Sequence, residues 1–532
     1  MITYTSATKK IAEEAFQAAL LGDLDKVKQL AGHTFHLETC DEKGNSLLHY
    51  AVRSKNLELV RFLTEAGGLD LTWANADLVT PFDLAHIQAK EHPGDLAAEE
   101  MEAWIASVCG FSHEACYRNP VVRGMYPDPS IVRVGEDYYM VNSSFIFFPG
   151  IPVSHSRDLV HWETIGYVAA DPDWARKYLG PLEGGRGFWA PDISYHDGWF
   201  TVCATLRMND DADCIQTQFV ARSRKPEGPY EKPVIHKVLG IDPSIFHDED
   251  GRTYMLLNRG ARIMEISEDG KECLSEPELI WYGWDKHGPE GPHILKKDGW
   301  YYLLCAAGGT GYLHAATVAR AKTLDGPWED SPYFPLLTAR DDAANPLQKS
   351  GHACFVEIGG EWYITHICAR PLTERGNCTL GRETALQKIE WADGWPCLAN
   401  GTHHPELVIP APKAAGNVRQ LLDHSERVTF APDKDLPHTF KTLRTPLTPE
   451  TDYSLTARPG WLRLYGGQTL SSHHKQTLFA RRWQHFAFTA ATKIDFAPQN
   501  FQQVAGLVLF YDTCNWIYAY ITWDERINHS NS

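Results

Sequence analysis

The chain has 532 residues, 43% of them hydrophobic and 22% charged, which is the composition of a folded protein too long for one core. Its formal net charge of −18 argues against a nucleic-acid partner, which would need concentrated Lys and Arg. No run approaches the ~20 apolar residues that span a bilayer, so no membrane association is expected.

Met1-Ile2-Thr3-Tyr4-Thr5 runs straight into a charged helical pattern with no apolar h-region, which predicts a cytoplasmic chain. The twelve scattered cysteines are then expected as reduced thiols. Residues 1–112 read as helices, with Ala15, Ala18, Ala19, Val27 and Leu30 at helical spacing. Ser46-Leu47-Leu48-His49-Tyr50-Ala51 returns as Thr80-Pro81-Phe82-Asp83-Leu84-Ala85, about 34 residues later. This period resembles an ankyrin array of about three repeats. In that pattern His49 ties the turn before a helix and is structural. Such an array offers a surface for a protein partner or a homo-oligomer, or it is a packing cap.

Residues 117–410 change to short strands and turns. Gly135-Glu136-Asp137-Tyr138-Tyr139, Asp197-Gly198-Trp199-Phe200, Asp250-Gly251-Arg252-Thr253-Tyr254, Asp298-Gly299-Trp300-Tyr301-Tyr302 and Gly359-Gly360-Glu361-Trp362-Tyr363 each read as a turn opening a hairpin. Five such units predict a five-bladed β-propeller. Residues 425–532 alternate apolar and polar side chains, as in Trp461–Tyr465 and Phe486–Ala490, and read as a β-sandwich that stops short. The polar end, residues 526–532, is expected to fray. The whole is multidomain and mainly β.

Two tetrads repeat inside the propeller: Asp128-Pro129-Ser130-Ile131 and Asp242-Pro243-Ser244-Ile245. Each stands where an innermost strand begins, so the two carboxylates are expected to face one another across a central funnel. Proline is expected to hold each Asp extended; a plain turn Asp is the alternative. Glu290, in Pro289-Glu290-Gly291-Pro292-His293, supplies a third acid at a strand entrance. Three acids suit acetal hydrolysis: one protonates the departing oxygen, one activates water, and one tunes the acid.

The stretch Asn119–Val132 resembles the start of the glycoside hydrolase family 43 domain in its β-xylosidase branch. The likeness continues through Phe188-Trp189-Ala190-Pro191, Glu290-Gly291-Pro292-His293, Asn345–Ala353 and Leu380-Gly381-Arg382-Glu383-Thr384. The resemblance implies an inverting exo-enzyme on β-1,4-xylooligosaccharides, with Asp128 as general base, Glu290 as general acid and Asp242 as the tuner of the acid's pKa. It also implies that Phe145, Trp189, Thr310, His352 and Arg382 bind the terminal sugar. Arabinoxylan-derived substrates and α-L-arabinofuranosidase activity stay open, as does a sugar-binding scaffold of impaired activity. No cofactor is required, and the resemblance leaves room for a divalent cation near His352. Ile146 and Phe147 depart from the commoner Phe-Glu-Trp-Phe, which loosens the carry-over of specificity there.

Overall fold

The structure is a computed structural model that describes residues 6–524 apart from 32–36, 38, 78, 110–115, 285–287, 417–419, 422–425, 434 and 487. The leading pentapeptide and the polar end 526–532 lie outside the described residues, as does Ala487. No described helix is long and apolar enough to cross a membrane.

Three helix pairs build the N-terminal array: Ser6–Leu20 with Leu24–Ala31, Leu47–Ser54 with Leu57–Arg61, and Pro81–Glu91 with Leu96–Cys109. Their buried faces join Ala15, Ala19, Leu47, Leu48, Leu59, Leu63, Met101 and Ile105 in one core. His49 plays the structural part expected of it. Its Nδ1 accepts from the Ser46 backbone N–H at 3.1 Å, and its Nε2 contacts the Val79 carbonyl at 2.9 Å. In the next repeat Asp83 does the same work, accepting from Thr80 N–H at 2.8 Å. Each is a capping box, satisfying backbone donors that a helix start leaves unpaired.

Five antiparallel sheets follow, each in simple up-and-down order. Their innermost strands are Ser130–Val134, Gly187–His196, Ser244–His247, Glu290–Lys297 and Gln348–Ile358. These pack against one another in ring order, the fifth returning to the first. The turn motifs open the hairpins as expected. Asp197-Gly198, Asp298-Gly299 and Gly359-Gly360 have positive φ at both positions, the geometry that matches the twist of two tight strands.

The ring is closed by the chain's return. Cys116–Arg118 pairs with Val408–Pro410. Beside it the buried Asn119 amide donates to the Leu386 and Glu406 carbonyls at 2.8 and 3.0 Å and accepts from Leu386 N–H at 2.9 Å. Radial repetition of this kind leaves only short edges, protected where the inner strands meet.

The C-terminal part is sparser in strand. It contains the pair Tyr453–Ser454 with Arg463–Leu464 and the hairpin Ala505–Phe510 with Trp516–Ile521. Thr442–Leu443 pairs back onto Phe147–Phe148 of the propeller. The stretch Phe486–Ala490, expected as a strand, carries none among its described residues. Alternation prepares two faces, but a strand forms only where a partner accepts its hydrogen bonds.

Candidate active site

Every innermost strand is entered through the same backbone move. Asp128, Ala190, Asp242, Gly291 and His352, one per blade, have φ of +57°, +35°, +57°, +56° and +46°. Proline follows the first four, as Pro129, Pro191, Pro243 and Pro292. The strand register breaks at these points, between Trp189 and Asp192, Glu290 and His293, and Gly351 and Ala353. Such bulges bend a strand and re-aim the side chains beside it.

This corrects the expectation that proline would hold Asp128 and Asp242 extended. Proline bars the right-handed region to the residue before it, and Asp tolerates the left-handed one better than most residues. The kink brings both carboxylates to the ring centre. There His352 Nδ1 lies 4.0 Å from Asp128 Oδ1 and 3.9 Å from Asp242 Oδ2.

Asp128 is buried, which alone would raise its pKa. The Arg382 guanidinium, with Nη1 at 3.1 Å, outweighs burial together with His352 and the donating Ser143 hydroxyl, and the carboxyl is held below its usual value. Ser143 is itself fixed, accepting the Ala190 N–H at 2.7 Å. Asp242 and Glu290 differ from Asp128. Burial raises Asp242 well above the usual carboxylate range, and the charges of Glu290 and Asp128 add to it. Burial and then Asp128 raise Glu290. The central acids therefore divide into one held ionised and two that hold on to protons.

His352 is driven down to about 4 by burial, so its ring is neutral near pH 7. Gly291 permits its position, since a Cβ there would lie 2.7 Å from His352 Cε1. The residue after Arg382, Glu383, is fully buried and paired with Arg370 at 2.7 and 3.0 Å.

Phe145 is tied by backbone bonds of 3.0 Å in both directions to Phe188, with the Arg382 guanidinium carbon 5.8 Å from its ring. Phe145, Thr310 and Arg382 border a broad open cleft that also runs along the helical array and the C-terminal segment, and whose lining does not include Asp128, Asp242, Glu290 or His352. Trp189 stands one step back, donating to the carbonyl of Gly185, which does line the cleft, at 3.0 Å. Ile146 is buried, and its carbonyl accepts from the Arg444 N–H at 2.7 Å. The departure at Ile146 and Phe147 thus falls where the C-terminal segment docks.

Sequence reasoning missed Asp192. It accepts from the Ser130 hydroxyl at 2.6 Å and the Ile245 N–H at 2.9 Å, joining the two repeated tetrads, and His293 Nδ1 lies 3.4 Å away. The signal was present in Ala190-Pro191-Asp192, which has the tetrads' spacing. His314, which burial holds down to about 3 and which sits close enough to Asp128 to help hold it ionised, carried no such signal. Among the described residues, metal-ligand spacing occurs at Asp341, His403 and His404 and at His196, Asp197 and Glu268; neither group includes His352.

Residues 117–396 match the glycosyl hydrolases family 43, residues 427–530 the beta xylosidase C-terminal concanavalin A-like domain, and residues 43–73 the ankyrin repeat. The chain is 39% identical over 432 residues to a beta-xylosidase of Bacillus subtilis (strain 168), covering 77% of this chain and 80% of that one. It is 35% identical over 420 residues to a non-reducing end alpha-L-arabinofuranosidase of Bacteroides ovatus, covering 77% and 76%. The crystal structure of the GH43 protein BlXynB from Bacillus licheniformis is similar with a TM-score of 0.71 at 41% identity, covering 77% of this chain and 80% of that one.

Proposed function

The chain belongs to glycoside hydrolase family 43, and from that premise we propose that it is an inverting exo-β-xylosidase acting on the non-reducing ends of xylooligosaccharides. The observation that carries this reading is the split among the central acids: Asp128 held down, Asp242 and Glu290 held up.

In this reading Glu290 donates its proton to the glycosidic oxygen as the C1–O bond breaks. Asp128 takes a proton from a water that attacks C1 on the opposite face, which requires a separation of ~6.5–9.5 Å between acid and base. Asp242 and Glu290 are both held up, so the pair gives up its protons one at a time and the charge of whichever ionises first holds the proton on the other; that is the tuning we assign to Asp242. Arg382 holds Asp128 ionised and offers donors to sugar hydroxyls, the task a permanent planar cation performs best. Neutral His352 spaces the carboxylates, and Phe145, Trp189 and Thr310 shape the walls around the terminal sugar.

A second reading, α-L-arabinofuranosidase or dual activity, is favoured by the similarity to the arabinofuranosidase of Bacteroides ovatus. Rates on nitrophenyl xyloside and nitrophenyl arabinofuranoside decide between them. For the mechanism, hydrolysis of nitrophenyl β-xyloside, which releases a single xylose, followed by NMR is expected to give α-xylose first; initial β-xylose would overturn inversion. Glu290→Ala is expected to stop xylobiose turnover, and an unchanged rate would remove Glu290 as the acid.

A further inference from the structure

Away from the central acids, the loop after the fourth blade carries Asp341, and a turn after the fifth carries His403 and His404. His403 Nε2 lies 2.8 Å from one oxygen of Asp341 and His404 Nε2 3.0 Å from the other. Adjacent residues ordinarily send their side chains apart. Here both imidazoles converge on a single carboxylate, with ring centroids 4.4 Å apart.

The turn that produces this is built for it. Asn400 Oδ1 accepts from Thr402 N–H at 2.9 Å, and its amide donates to the His404 carbonyl at 3.0 Å. The Thr402 hydroxyl accepts from His404 N–H at 3.1 Å. Thr338 N–H donates to the His403 carbonyl at 2.8 Å, and the Asn345 amide to that of Pro405 at 3.0 Å. The ligand-type atoms lie within 4.8 Å of one another. The second grouping, at His196, is more exposed and sits partly on a hairpin turn, with His196 already stacked on His247.

We propose that Asp341, His403 and His404 form a binding site for a divalent transition metal of the zinc class, with open positions toward solvent. Two imidazoles and a carboxylate are the ligand set such ions prefer over calcium or magnesium, which favour oxygen alone. Binding exchanges the Nε2–H hydrogen bonds for Nε2–metal bonds, so each Nε2 proton must leave, passing through solvent to Nδ1 in a neutral ring or to solvent outright from a charged one. The ion would staple loop 341–347 to turn 400–405, and that loop runs on to Asn345 and Lys349 at the cleft wall.

The test is calorimetric titration of the chelator-treated full chain with zinc chloride, beside His403→Ala/His404→Ala, Asp341→Asn and, as control, His196→Ala. One equivalent is expected to bind the wild type and the control, to raise their unfolding midpoint, and to bind at least about tenfold more weakly in the other two variants. Cobalt should give a weak d–d spectrum without the charge-transfer band of a thiolate site. The absence of saturable binding below millimolar zinc, or wild-type affinity in the double variant, would overturn the proposal. The Asp341→Asn variant keeps the side-chain shape, so loss of folding in the double variant leaves the question decidable.

Discussion

Arg382→Gln tests the electrostatics of the site most directly. The Arg382 guanidinium stands 3.1 Å from Asp128 Oδ1, with Asp128 buried and about a fifth of the arginine side chain exposed. A full ion pair at that distance, at an effective dielectric constant of about 20, is worth ~5 kcal/mol. Solvent at Arg382 and the remaining partners Ser143 and His352 reduce the net loss to about 1.4–4 kcal/mol, or a rise of about 1–3 pH units for Asp128. The sign follows from the proposed role. A base must be ionised, and a lowered pKa keeps it ionised further into acid, so removing the cation moves the acid limb of kcat/KM to higher pH. Stability moves likewise: the contribution of a lowered carboxyl is lost as pH falls through its folded pKa, and in the variant that loss begins at higher pH. The kcat/KM profile is the right assay because it reports the free enzyme and separates this shift from lost sugar contacts, which lower the plateau alone. An acid limb that stays in place while the plateau falls would refute the account of Arg382 as the group that holds Asp128 ionised.

Asp242→Asn removes the carboxyl with which Glu290 divides its protons, so the alkaline limb is expected to move down by about one pH unit or more; an unmoved limb in the same assay would remove Asp242 as tuner. Gly291→Ala adds a left-handed alanine and a Cβ 2.7 Å from His352 Cε1, for a loss of about 2–4 kcal/mol in denaturant unfolding together with slower turnover. Trp73→Ala, which removes the buried indole under the Arg123 guanidinium 3.6 Å from its ring centre, is expected to cost about 3–5 kcal/mol by the same measurement.

The blades were legible because their turns demand particular residues. At Asp197-Gly198, Asp298-Gly299 and Gly359-Gly360 these pairs mark positive φ at two successive positions, and aromatic strands follow them. Asp128 and Asp242 were legible because their tetrads are identical in sequence. The rule behind them was not: the shared feature is a backbone angle, carried by Asp, Ala, Asp, Gly and His in turn, so identity tracks it in only two blades. Asp192 escaped for that reason, hidden behind Ala190 in the second blade. The C-terminal part was least legible, because Phe486–Ala490 has the alternation of a strand and alternation does not name a partner.

Parts outside the blades also bear on Asp128. The chain leading to Asp128 is gripped from three sides. Arg118 Nε meets Asp70 of the helical array at 3.3 Å, and the half-buried Arg123 stacks on Trp73 of the same array. Gly124 N–H donates to Glu383 of the fifth blade at 2.9 Å. Tyr126 lies under the guanidinium of Arg482, 4.0 Å from its ring centre, and Arg482 Nη2 is 3.4 Å from the carbonyl of Ser143, the residue whose hydroxyl holds Asp128. A carboxylate in a left-handed kink is stable only when its surroundings over-determine it. Here those surroundings include the array and the C-terminal segment as well as the propeller. The orientation of Asp128 is therefore a property of the assembled chain, and changes at Trp73 or Arg482 reach the site through the eight residues from Asn119 to Tyr126.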